Sequence, residues 1–519
     1  MKKLTSILTL VLFFLSATYA ADVWDGTTIT AFSTAGGAGS SASNPVLIES
    51  AAQLAYLAQE TNKGTAGGGS DYTGVYFKLM SDIDLNNKEW TPIGWHNTTA
   101  LNKHFKGNLD GYGHSIANLK ISTAKSGTTS GLFGAINSGY IKNLAISSGS
   151  ITWGGSAGGV VGSNFSGTIS GCSNAAYIKG TSYVGGVTGY NVKASGSTVF
   201  PVVTNCYNRG TIELNNGAAT TSRALGGVVG YATAIVSNVY NYGTLTVLGS
   251  DITTLKGGIT GVVGSGGSVN NSYYKTGTVA AGANTYGTAT DEADMKLASF
   301  VTTINNSQSP AVWVADDAGS PLNNGYPVLS FSPVVVTSVS SLIDLNYHLG
   351  EGPSAEQSFT VSGNYLTNDV VVSAPTNYEI SLTSGSAFTS QLTLVPTLGD
   401  VSATTIYVRL KAGLGVNPYN GSIDVTSTGA TTANITLSGT VDNTTGVGEM
   451  GEKIKVGVDG LNINITGFTG LVEIFNISGR VALSEKYVSS DCILTMPDTG
   501  IYFIRMTNET GVKVQKISL

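Results

Sequence analysis

GGVVG at 158–162 is one copy of a short, glycine-bounded apolar motif that returns along the chain. The other copies read GLFG at 131–134, GGVTG at 185–189, GGVVG at 226–230 and GGITG at 257–261. Counted between their central apolar residues, successive copies are 28, 27, 41 and 31 residues apart. Periods of about 20–50 residues are typical of solenoids, propellers and arrays. The motif therefore predicts one structural unit that is used several times.

A second motif alternates with the first. Its copies start 34, 33 and 33 residues apart and read ISGCSN at 169–174, VTNCYN at 203–208, VSNVYN at 236–241 and VNNSYY at 269–274. Short β-type runs separate the motifs, and no amphipathic helix of three turns interrupts 131–280. This pattern predicts a parallel β-helix, whose coils stack about 4.8 Å apart. The main alternative is a β-propeller, but its blades need about 40–45 residues, more than this period allows.

The motif positions have different predicted roles. We expect the glycines to turn the corners of the coils, because glycine adopts positive φ without steric cost. Val160 and Val161 are typical of a strand buried in a parallel sheet. One repeat position is held by small residues and predicts an inward stacking column: Cys172, Cys206, Val239 and Ser272. For the two cysteines we expect buried thiols, with a disulfide as the alternative.

The pattern GGVVG…GTISGCSN…YIKG within 158–180 resembles the GLUG repeat of bacterial surface proteins. The strings that resemble the flanking modules of that family are PVLIESAAQLAYLAQETNKG at 45–64, YFKLMSDIDLNNKEWTPIG at 76–94, FKGNLDGYGHSIANLKI at 105–121 and NNGYPVL at 323–329. The resemblance covers about 45–331 and implies an all-β fold built on a right-handed parallel β-helix. One departure is the 41-residue step, which implies a longer inserted loop within 191–225.

Composition limits the classes of protein that fit. The chain has 519 residues, of which 11% are charged and 68 are glycine, and its formal net charge is −6. A length of this size predicts two to four domains. The slightly positive mean hydropathy argues against disorder. No basic cluster predicts a nucleic-acid partner.

The first residues have the pattern of a secretory signal peptide at 1–20. Lys2 and Lys3 precede an apolar run, and small residues before Ala20 fit a cleavage site. The run is too short to span a bilayer as a helix. The residue directly after the cleavage site is not a cysteine, so lipoprotein anchoring is not indicated. We expect an extracellular protein or one on the outer-membrane surface.

Residues 21–125 are predicted to form an N-terminal cap and the first coils, and 126–333 the repeat region with its closing segment. Ser50 to Gln53 form a capping box for a helix that should continue to about Gln59 and bury Leu54 and Leu57. A second short helix, from Glu292 to Asn305, is expected to cap the other end of the coils.

Residues 334–441 change character, because alternating strands replace the glycine motifs. Turn residues separate these strands every 8–15 positions, which predicts an Ig-like sandwich without a disulfide. The strings SFTVSGNYLTNDVVVSAPTNYEISL at 358–382, TTIYVRLKAGL at 404–414 and YNGSIDVTSTGA at 419–430 resemble Ig-like domains of secreted Bacteroidetes proteins. A linker at 442–451 follows.

The last segment, 452–519, resembles the C-terminal sorting domain of the type IX secretion system in the strings LVEIFNISGRVALSEKY at 471–487, MPDTGIYFIRMTNETG at 496–511 and VKVQKISL at 512–519. The residues that match the sorting signal are Gly479, Arg480, Gly500, Tyr502, Lys513 and Lys516. The resemblance implies type IX secretion machinery as a partner and, after removal of the tail, anchoring to surface lipopolysaccharide or release. The plainer interpretation is a small β-sandwich.

Catalytic and metal-binding patterns are weak. GGSAG at 154–158 matches a nucleophile-elbow string, but no helix is predicted after it. Asp82, Asp84 and Asp110 could place carboxylates together for glycoside hydrolysis or calcium binding, yet alternation with apolar residues favours a solvated strand face. No His pair has zinc spacing and no Cys-x-x-Cys occurs, so we expect neither a metal nor a cofactor.

Tyrosines are the best functional candidates. Tyr207, Tyr240 and Tyr273 each follow the inward column by one residue, so we expect them to face outward as an exposed stripe on successive coils. Tyr190 and Tyr231 form a second pair directly after the glycine motif. Tyrosine combines flat apolar area with a hydroxyl and suits sugar or protein contacts. The alternative is that stacked tyrosines only stabilise neighbouring coils.

Two functions from different classes remain open. The first is a non-enzymatic, adhesin-like surface protein whose β-helix displays a binding surface for a glycan or protein ligand. The second is a surface polysaccharide-degrading enzyme, a lyase or glycosidase, that uses a groove on the β-helix. Fold alone does not decide between them.

Overall fold

The computed structural model describes residues 22–32, 38–97, 102–122, 128–215, 223–249, 255–279, 286–308, 310–316, 322–443, 454–488, 491–508 and 511–519. The predicted signal peptide lies outside these residues. The chain divides into two compact units, one holding residues up to Val334 with two short later segments and the other holding most of the remainder. Both units are built almost entirely of β-strands.

The first unit contains five sheets of parallel strands stacked in register. The two longest sheets run, in spatial order, through Asp22–Val23, Ile83–Asp84, Ser115–Ala117, Ala145–Ile146, Ser173–Asn174, Tyr207–Asn208, Tyr240–Asn241, Tyr273–Lys275 and Thr288–Thr290, and through Val46–Ile48, Tyr76–Leu79, Asn108–Asp110, Tyr140–Lys142, Thr168–Ser170, Val202–Thr204, Ile235–Ser237 and Ser268–Asn270. The other three run through Leu119–Ile121, Gly149–Thr152, Tyr177–Gly180, Ile212–Asn215 and Leu245–Leu248, through Thr129–Ser130, Ser156–Ala157, Tyr183–Gly185, Ala224–Gly226 and Lys256–Gly257, and through Phe133–Asn137, Val161–Phe165, Thr188–Val192, Val229–Ala232 and Thr260–Val263.

Each of the five successive coils between Leu119 and Lys275 contributes one strand to each sheet, so the predicted parallel β-helix is confirmed. For example, Ile178 pairs with Ile212 of the next coil, which pairs with Leu245 of the coil after it. Val160 and Val161 are fully buried, as the apolar motif predicts. A stack of this kind satisfies the backbone of each coil through its neighbours, and apolar side chains fill the interior.

The predicted inward column is also confirmed, since Cys172, Cys206 and Val239 have no exposed surface and Ser272 is almost fully buried. Both thiols are free. Cys206 Sγ donates to the Thr204 carbonyl over 3.1 Å, and Cys172 Sγ donates to the Ser170 carbonyl over 3.4 Å. Burial raises the pKa of the Cys206 thiol well above its usual range, so this column serves packing rather than reactivity.

The predicted role of the motif glycines is wrong. The left-handed corner just before the inward column is held instead by Asn143, Gly171, Asn205, Asn238 and Asn271, with φ between 43° and 62°. The glycines of the GGVVG-type motifs do not have positive φ. They are needed because the coils approach too closely for a side chain.

A buried asparagine ladder explains the second glycine of each motif. A Cβ at Gly159, Gly186 or Gly227 would lie within 2.5 Å of the side chain of the asparagine beside it. These asparagines are Asn174, Asn208 and Asn241, and none is exposed. The Nδ2 of each of the first two donates to the Oδ1 of the next over 2.8 Å.

Each ladder asparagine also bridges its own turn. Asn208 Nδ2 donates to the Gly210 carbonyl, and the Gly210 N–H donates to Asn208 Oδ1. Tyr274 occupies the next position after Asn241, so its ring ends the ladder. Because buried amides are costly unless hydrogen-bonded, the ladder specifies which coils stack and in what register.

The first helix, α1 (Ala51–Lys63), covers the N-terminal end of the stack. The predicted capping box is present, since Ser50 accepts from the Gln53 N–H while the Gln53 side chain accepts from the Ser50 N–H. Leu54 and Leu57 are buried in the β-helix core as expected. The helix runs four residues beyond the predicted end, and a 3₁₀ turn at Thr65–Gly67 follows.

The predicted second helix is two helices, α2 (Glu292–Met295) and α3 (Ala298–Asn305), followed by an antiparallel pair, Trp313–Val314 and Val328–Leu329. We name described residues 288–308, 310–316 and 322–329 the closing segment. Its apolar residues pack on the side of the stack, against Tyr207, Tyr240 and Tyr273. Helices α2 and α3 therefore pack on the side of the stack and not over its end as expected, while the strand Thr288–Thr290 pairs with Tyr273–Lys275 at the end of one sheet.

The second unit holds two pairs of sheets. The Ig-like sandwich consists of Val334–Thr337, Gln357–Asn364, Val401–Leu410 and Tyr378–Ser381 in one sheet, and Ser341–Leu342, Ala433–Asp442, Asn417–Thr426, Val370–Ser373, Gln391–Leu394 and Tyr347–His348 in the other. The C-terminal part consists of Lys455–Asp459, Asn462–Thr466 and Cys492–Thr495, and of Val481–Val488, Gly470–Asn476, Ile501–Asn508 and Gly511–Ser518. Among the described residues, no helix has the length and apolar character needed to cross a membrane.

The close stacking makes a testable prediction. Gly186→Ala should lower the free energy of unfolding of the β-helix by about 2 kcal/mol or more, because its Cβ would lie 2.4 Å from Asn208 Cγ and 2.5 Å from the Gly227 carbonyl oxygen. Thermal unfolding and hydrogen exchange at 187–208 would measure the loss. Gly154→Ala is the matched control, since a Cβ there meets no atom within 4 Å. Equal stability of the two variants would refute the stacking argument.

Candidate functional site

Tyr207, Tyr240 and Tyr273 do stack on successive coils, but they do not form an exposed stripe. Tyr240 is 0% exposed, and its ring lies parallel to that of Tyr207 at a centroid distance of 5.1 Å. Tyr273 packs edge-on against Phe300 of α3 at 5.1 Å. The predicted exposure is wrong for Tyr240, which the closing segment covers, whereas Tyr207 and Tyr273 pack against the same segment and are partly exposed.

Hydrogen bonds hold the closing segment on this tyrosine column. The Tyr240 hydroxyl donates to the Pro327 carbonyl and accepts from Asn323 Nδ2 over 2.6 Å. Asp316 in turn accepts from three backbone N–H groups of the same segment, those of Leu322, Asn323 and Gly325. Burial raises the pKa of Tyr240 well above its usual range. This column therefore joins the closing segment to the stack, with Tyr240 fully buried and Tyr207 and Tyr273 partly exposed.

The second predicted pair is different. Tyr190 and Tyr231 occupy matching positions on neighbouring coils, and their rings stack at 5.5 Å. Tyr183, which the sequence analysis missed, lies 4.9 Å from Tyr190 and 5.1 Å from Tyr231. All three are partly exposed. The three rings thus form a compact cluster on the side of the stack, with Tyr183 contributed by an adjacent sheet.

The cluster continues into further aromatic residues. Tyr190 meets Phe165 edge-on at 6.1 Å, and Phe165 stacks on His104 at 5.0 Å with only 11° between the planes. His96 also contacts Phe165, at 4.7 Å. We name Tyr183, Tyr190, Tyr231, Phe165, His104 and His96 the aromatic row.

The two histidines of the row share a hydrogen bond. His96 Nδ1 and His104 Nε2 are 3.2 Å apart, although no zinc-type spacing marks them in the sequence. The centroids are 5.4 Å apart, which is about the N–N distance plus both ring radii. The rings therefore meet head-on, as a hydrogen bond requires, and their lone pairs do not converge on a common metal position.

Burial lowers the pKa of both imidazoles, and that of His104 to about 4. The adjacent His96 and Lys106 lower the pKa of His104 further by repulsion of its charged form. Both rings are consequently neutral near pH 7. A neutral ring stacks against Phe165 without the desolvation cost of a charge.

Exposed apolar side chains flank the row at its Tyr231 end. The Tyr231 hydroxyl lies against Gly264, and the Phe200 ring approaches Gly266 of the same turn. Phe200 is 49% exposed and Val199 is 57% exposed. Lys193 places its ammonium 4.8 Å from the centre of the Phe200 ring.

A polar pocket of about 370 Å³ adjoins the opposite end of the row, where His104 forms part of its wall. Lys106 pairs with Asp71 over 2.9 Å, and Lys103 donates to the Lys63 carbonyl over 2.9 Å. Row and pocket together offer ring edges, hydroxyls and cationic groups on one side of the β-helix.

The candidate carboxylates of Asp82, Asp84 and Asp110 accept hydrogen bonds from neighbouring backbone and side-chain groups. Asp84 accepts from the Asn86 N–H and from Asn118 Nδ2, and Asp110 accepts from the Tyr112 N–H and Asn143 Nδ2. Asp82, more exposed, accepts from Ser115. Within the described ranges, no three His, Cys, Asp or Glu residues come together in a way that could hold a metal ion. The GGSAG string has Ser156 in a buried strand that a further strand follows, which is not the turn into a helix that a nucleophile elbow needs.

The residues that match the sorting signal have two kinds of environment. Gly479 has φ 81° in a turn held by Asn476, and the backbone of Gly500 pairs with that of Leu519. Tyr502 is buried, and Lys513 Nζ donates to the Ile454 carbonyl. Arg480 and Lys516 are exposed. The first four thus serve the fold of this segment, and the two cations remain accessible.

Comparisons with known proteins add one relative. No family model matches the chain. Halomucin of Haloquadratum walsbyi is 33% identical over 175 residues, which make up 32% of this chain and 2% of Halomucin. The chain therefore spans only a small fraction of that protein.

Solved structures give distant likenesses. A tetra-tandem repeat in the extending region of a large adhesion protein is 15% identical, with a TM-score of 0.13, over 38% of this chain and 54% of that one. The CupB2 chaperone of Pseudomonas aeruginosa is 12% identical, with a TM-score of 0.14, over 36% of this chain and 100% of that one. Scores this low support no argument about fold or function.

The histidine pair predicts a pH dependence. Between pH 6.5 and about 4 the unfolded chain binds a proton at His104 that the folded chain does not, so the free energy of unfolding should fall as the pH falls through this window. The loss should reach the order of 3 kcal/mol, at about 1.4 kcal/mol per pKa unit.

NMR titration of the four imidazoles would test this directly. His104 should titrate near pH 4, whereas the hydrogen bond to Asp442 raises the pKa of the exposed His348 above its usual value. His104→Phe keeps a ring against Phe165 and should remove most of the acid sensitivity. A His104 resonance that titrates at pH 6.5 or above would contradict the buried pair.

Proposed function

We propose that this chain is a secreted, surface-exposed, adhesin-like protein without enzymatic activity, whose β-helix presents the aromatic row to a ligand. The observation that carries the proposal is the partly exposed cluster of Tyr183, Tyr190 and Tyr231. A cluster of partly exposed tyrosines on a rigid scaffold is typical of contact surfaces, because tyrosine offers apolar area at low conformational cost. The partial similarity to Halomucin is consistent with a surface protein.

The geometry of the row favours a protein ligand over a sugar. Sugar rings pack on exposed aromatic faces, but here the tyrosine faces lie against one another at about 5 Å. The hydroxyl of each tyrosine adds a polar group that suits a protein contact. Phe200 and Val199 add exposed apolar area beside them, and contiguous apolar patches mark protein interaction sites.

Export by the type IX secretion system is part of the same proposal. It rests on the resemblance of 452–519 to a sorting domain, and on the exposure of Arg480 and Lys516, which leaves both cations accessible to export machinery. Surface lipopolysaccharide is the proposed anchor after the tail is removed. The N-terminal signal peptide supplies the first export step.

Substitution of Tyr183, Tyr190 and Tyr231 together by Ala should weaken binding to target cells or immobilised host protein at least tenfold, since hot-spot aromatic residues carry most of the energy of an interface. Flow cytometry with labelled protein would measure this. Tyr177→Ala, on a different sheet, is the control. Unchanged adhesion of the triple variant would reject the row as the binding surface. Release of sugar from a polysaccharide by the natural protein but not by the triple variant would favour the enzyme.

Deletion of 452–519 should leave the protein in the periplasm, and Arg480→Ala with Lys516→Ala should reduce surface display without unfolding the segment, because both side chains are exposed. Cell fractionation and surface proteolysis would report the location. The control is Lys455→Ala, which removes an exposed cation of the same segment that is not among the matched residues. Normal surface display of the deletion variant would rule out the sorting role.

A further inference from the structure

We propose that the partner of the aromatic row is an acidic protein segment with apolar side chains between its carboxylates. This inference rests on the proposed function and adds the charge of the ligand. It starts from a local imbalance of charge, because the chain as a whole has a formal net charge of −6.

Basic groups lie at both ends of the row. At the His104 end, the pocket wall holds Lys103 and Lys106 against a single carboxylate, that of Asp71, among the described residues that form it. Asp71 is already engaged, since it pairs with Lys106 and accepts from the Thr73 N–H. Lys103 donates to a neutral carbonyl, so its charge is not neutralised by that contact.

At the Tyr231 end, Lys193 is exposed and lies over the Phe200 ring. A cation on an aromatic face holds its position while it keeps its charge available to solvent. The row between the two ends carries no charge near pH 7, because its histidines are neutral there. The surface therefore alternates from cationic to apolar and back to cationic.

The complementary partner carries carboxylates at its ends and apolar groups between them. An extended peptide can meet this pattern, because its side chains at every second position share one face and a strand of a few residues spans several coils. Opposite charges across such a contact chiefly raise the rate of association and select the partner. An acidic polysaccharide lacks the apolar side chains that Val199 and Phe200 would contact.

The experiment uses the full mature chain and three short synthetic peptides, in which leucines at every second central position are flanked at both ends by Glu, Gln or Lys; they are called Glu-Leu, Gln-Leu and Lys-Leu. Fluorescence anisotropy at low salt should give the order Glu-Leu, then Gln-Leu, then Lys-Leu, and added salt should remove most of the difference. Lys103→Gln with Lys193→Gln should weaken the Glu-Leu peptide about tenfold and leave Gln-Leu within about twofold. Lys88→Gln with Lys120→Gln is the matched control on other surfaces.

Equal affinity for the three peptides, or an unchanged affinity for Glu-Leu in the Lys103/Lys193 variant, would overturn the inference. Tighter lysine-dependent binding of polygalacturonate than of the Glu-Leu peptide would also overturn it, in favour of an acidic glycan. These failures differ from failure of the proposed function, which appears as unchanged adhesion when Tyr183, Tyr190 and Tyr231 are replaced. The inference stands if the affinity falls both when the charge of the peptide is reversed and when Lys103 and Lys193 are neutralised.

Discussion

The distance between the backbones of consecutive coils is the constraint on which the first unit depends. Parallel strands one above another leave no room for a Cβ at Gly186, where the nearest atoms would be 2.4 and 2.5 Å away. The same closeness brings Asn174, Asn208 and Asn241 into a continuous buried ladder of amide hydrogen bonds. Glycine and asparagine therefore act together. Glycine has no Cβ and leaves room for the asparagine side chain, and the amide hydrogen bonds of asparagine fix the register of the coils.

A rigid stack also decides what its outward positions can do. Any aromatic residue that recurs at one repeat position becomes a column of rings, as at Tyr207 and Tyr240, where the planes differ by only 5°. Such a column is apolar and regular, so a nearby apolar segment of the same chain can pack against it. The closing segment supplies Phe300 and Trp313. The second group of tyrosines contacts Phe165 through Tyr190 and is partly exposed.

Features that depend on the repeat could be predicted from the sequence. The β-helix, the inward column with Cys172 and Cys206, and the capping box at Ser50 follow from local patterns, and the structure has all three. Features that depend on long-range packing could not. Nothing in the repeat indicates that the closing segment packs against Tyr240. Nothing in the spacing of His96 and His104 indicates that Phe165 lies between them and Tyr190.

The role of the motif glycines could not be predicted from the sequence for a related reason. A glycine in a sequence indicates freedom from a side chain, but it does not say whether that freedom serves a dihedral angle or a close approach. At the corner before the inward column, Asn143, Asn205, Asn238 and Asn271 take positive φ values together with Gly171, because the short amide of asparagine tolerates the left-handed region. The glycines are left for the approach between coils. Backbone contacts and inward side chains hold the stack together. Outward side chains such as those of Tyr183 and Tyr190 are therefore not needed for stacking and can serve recognition.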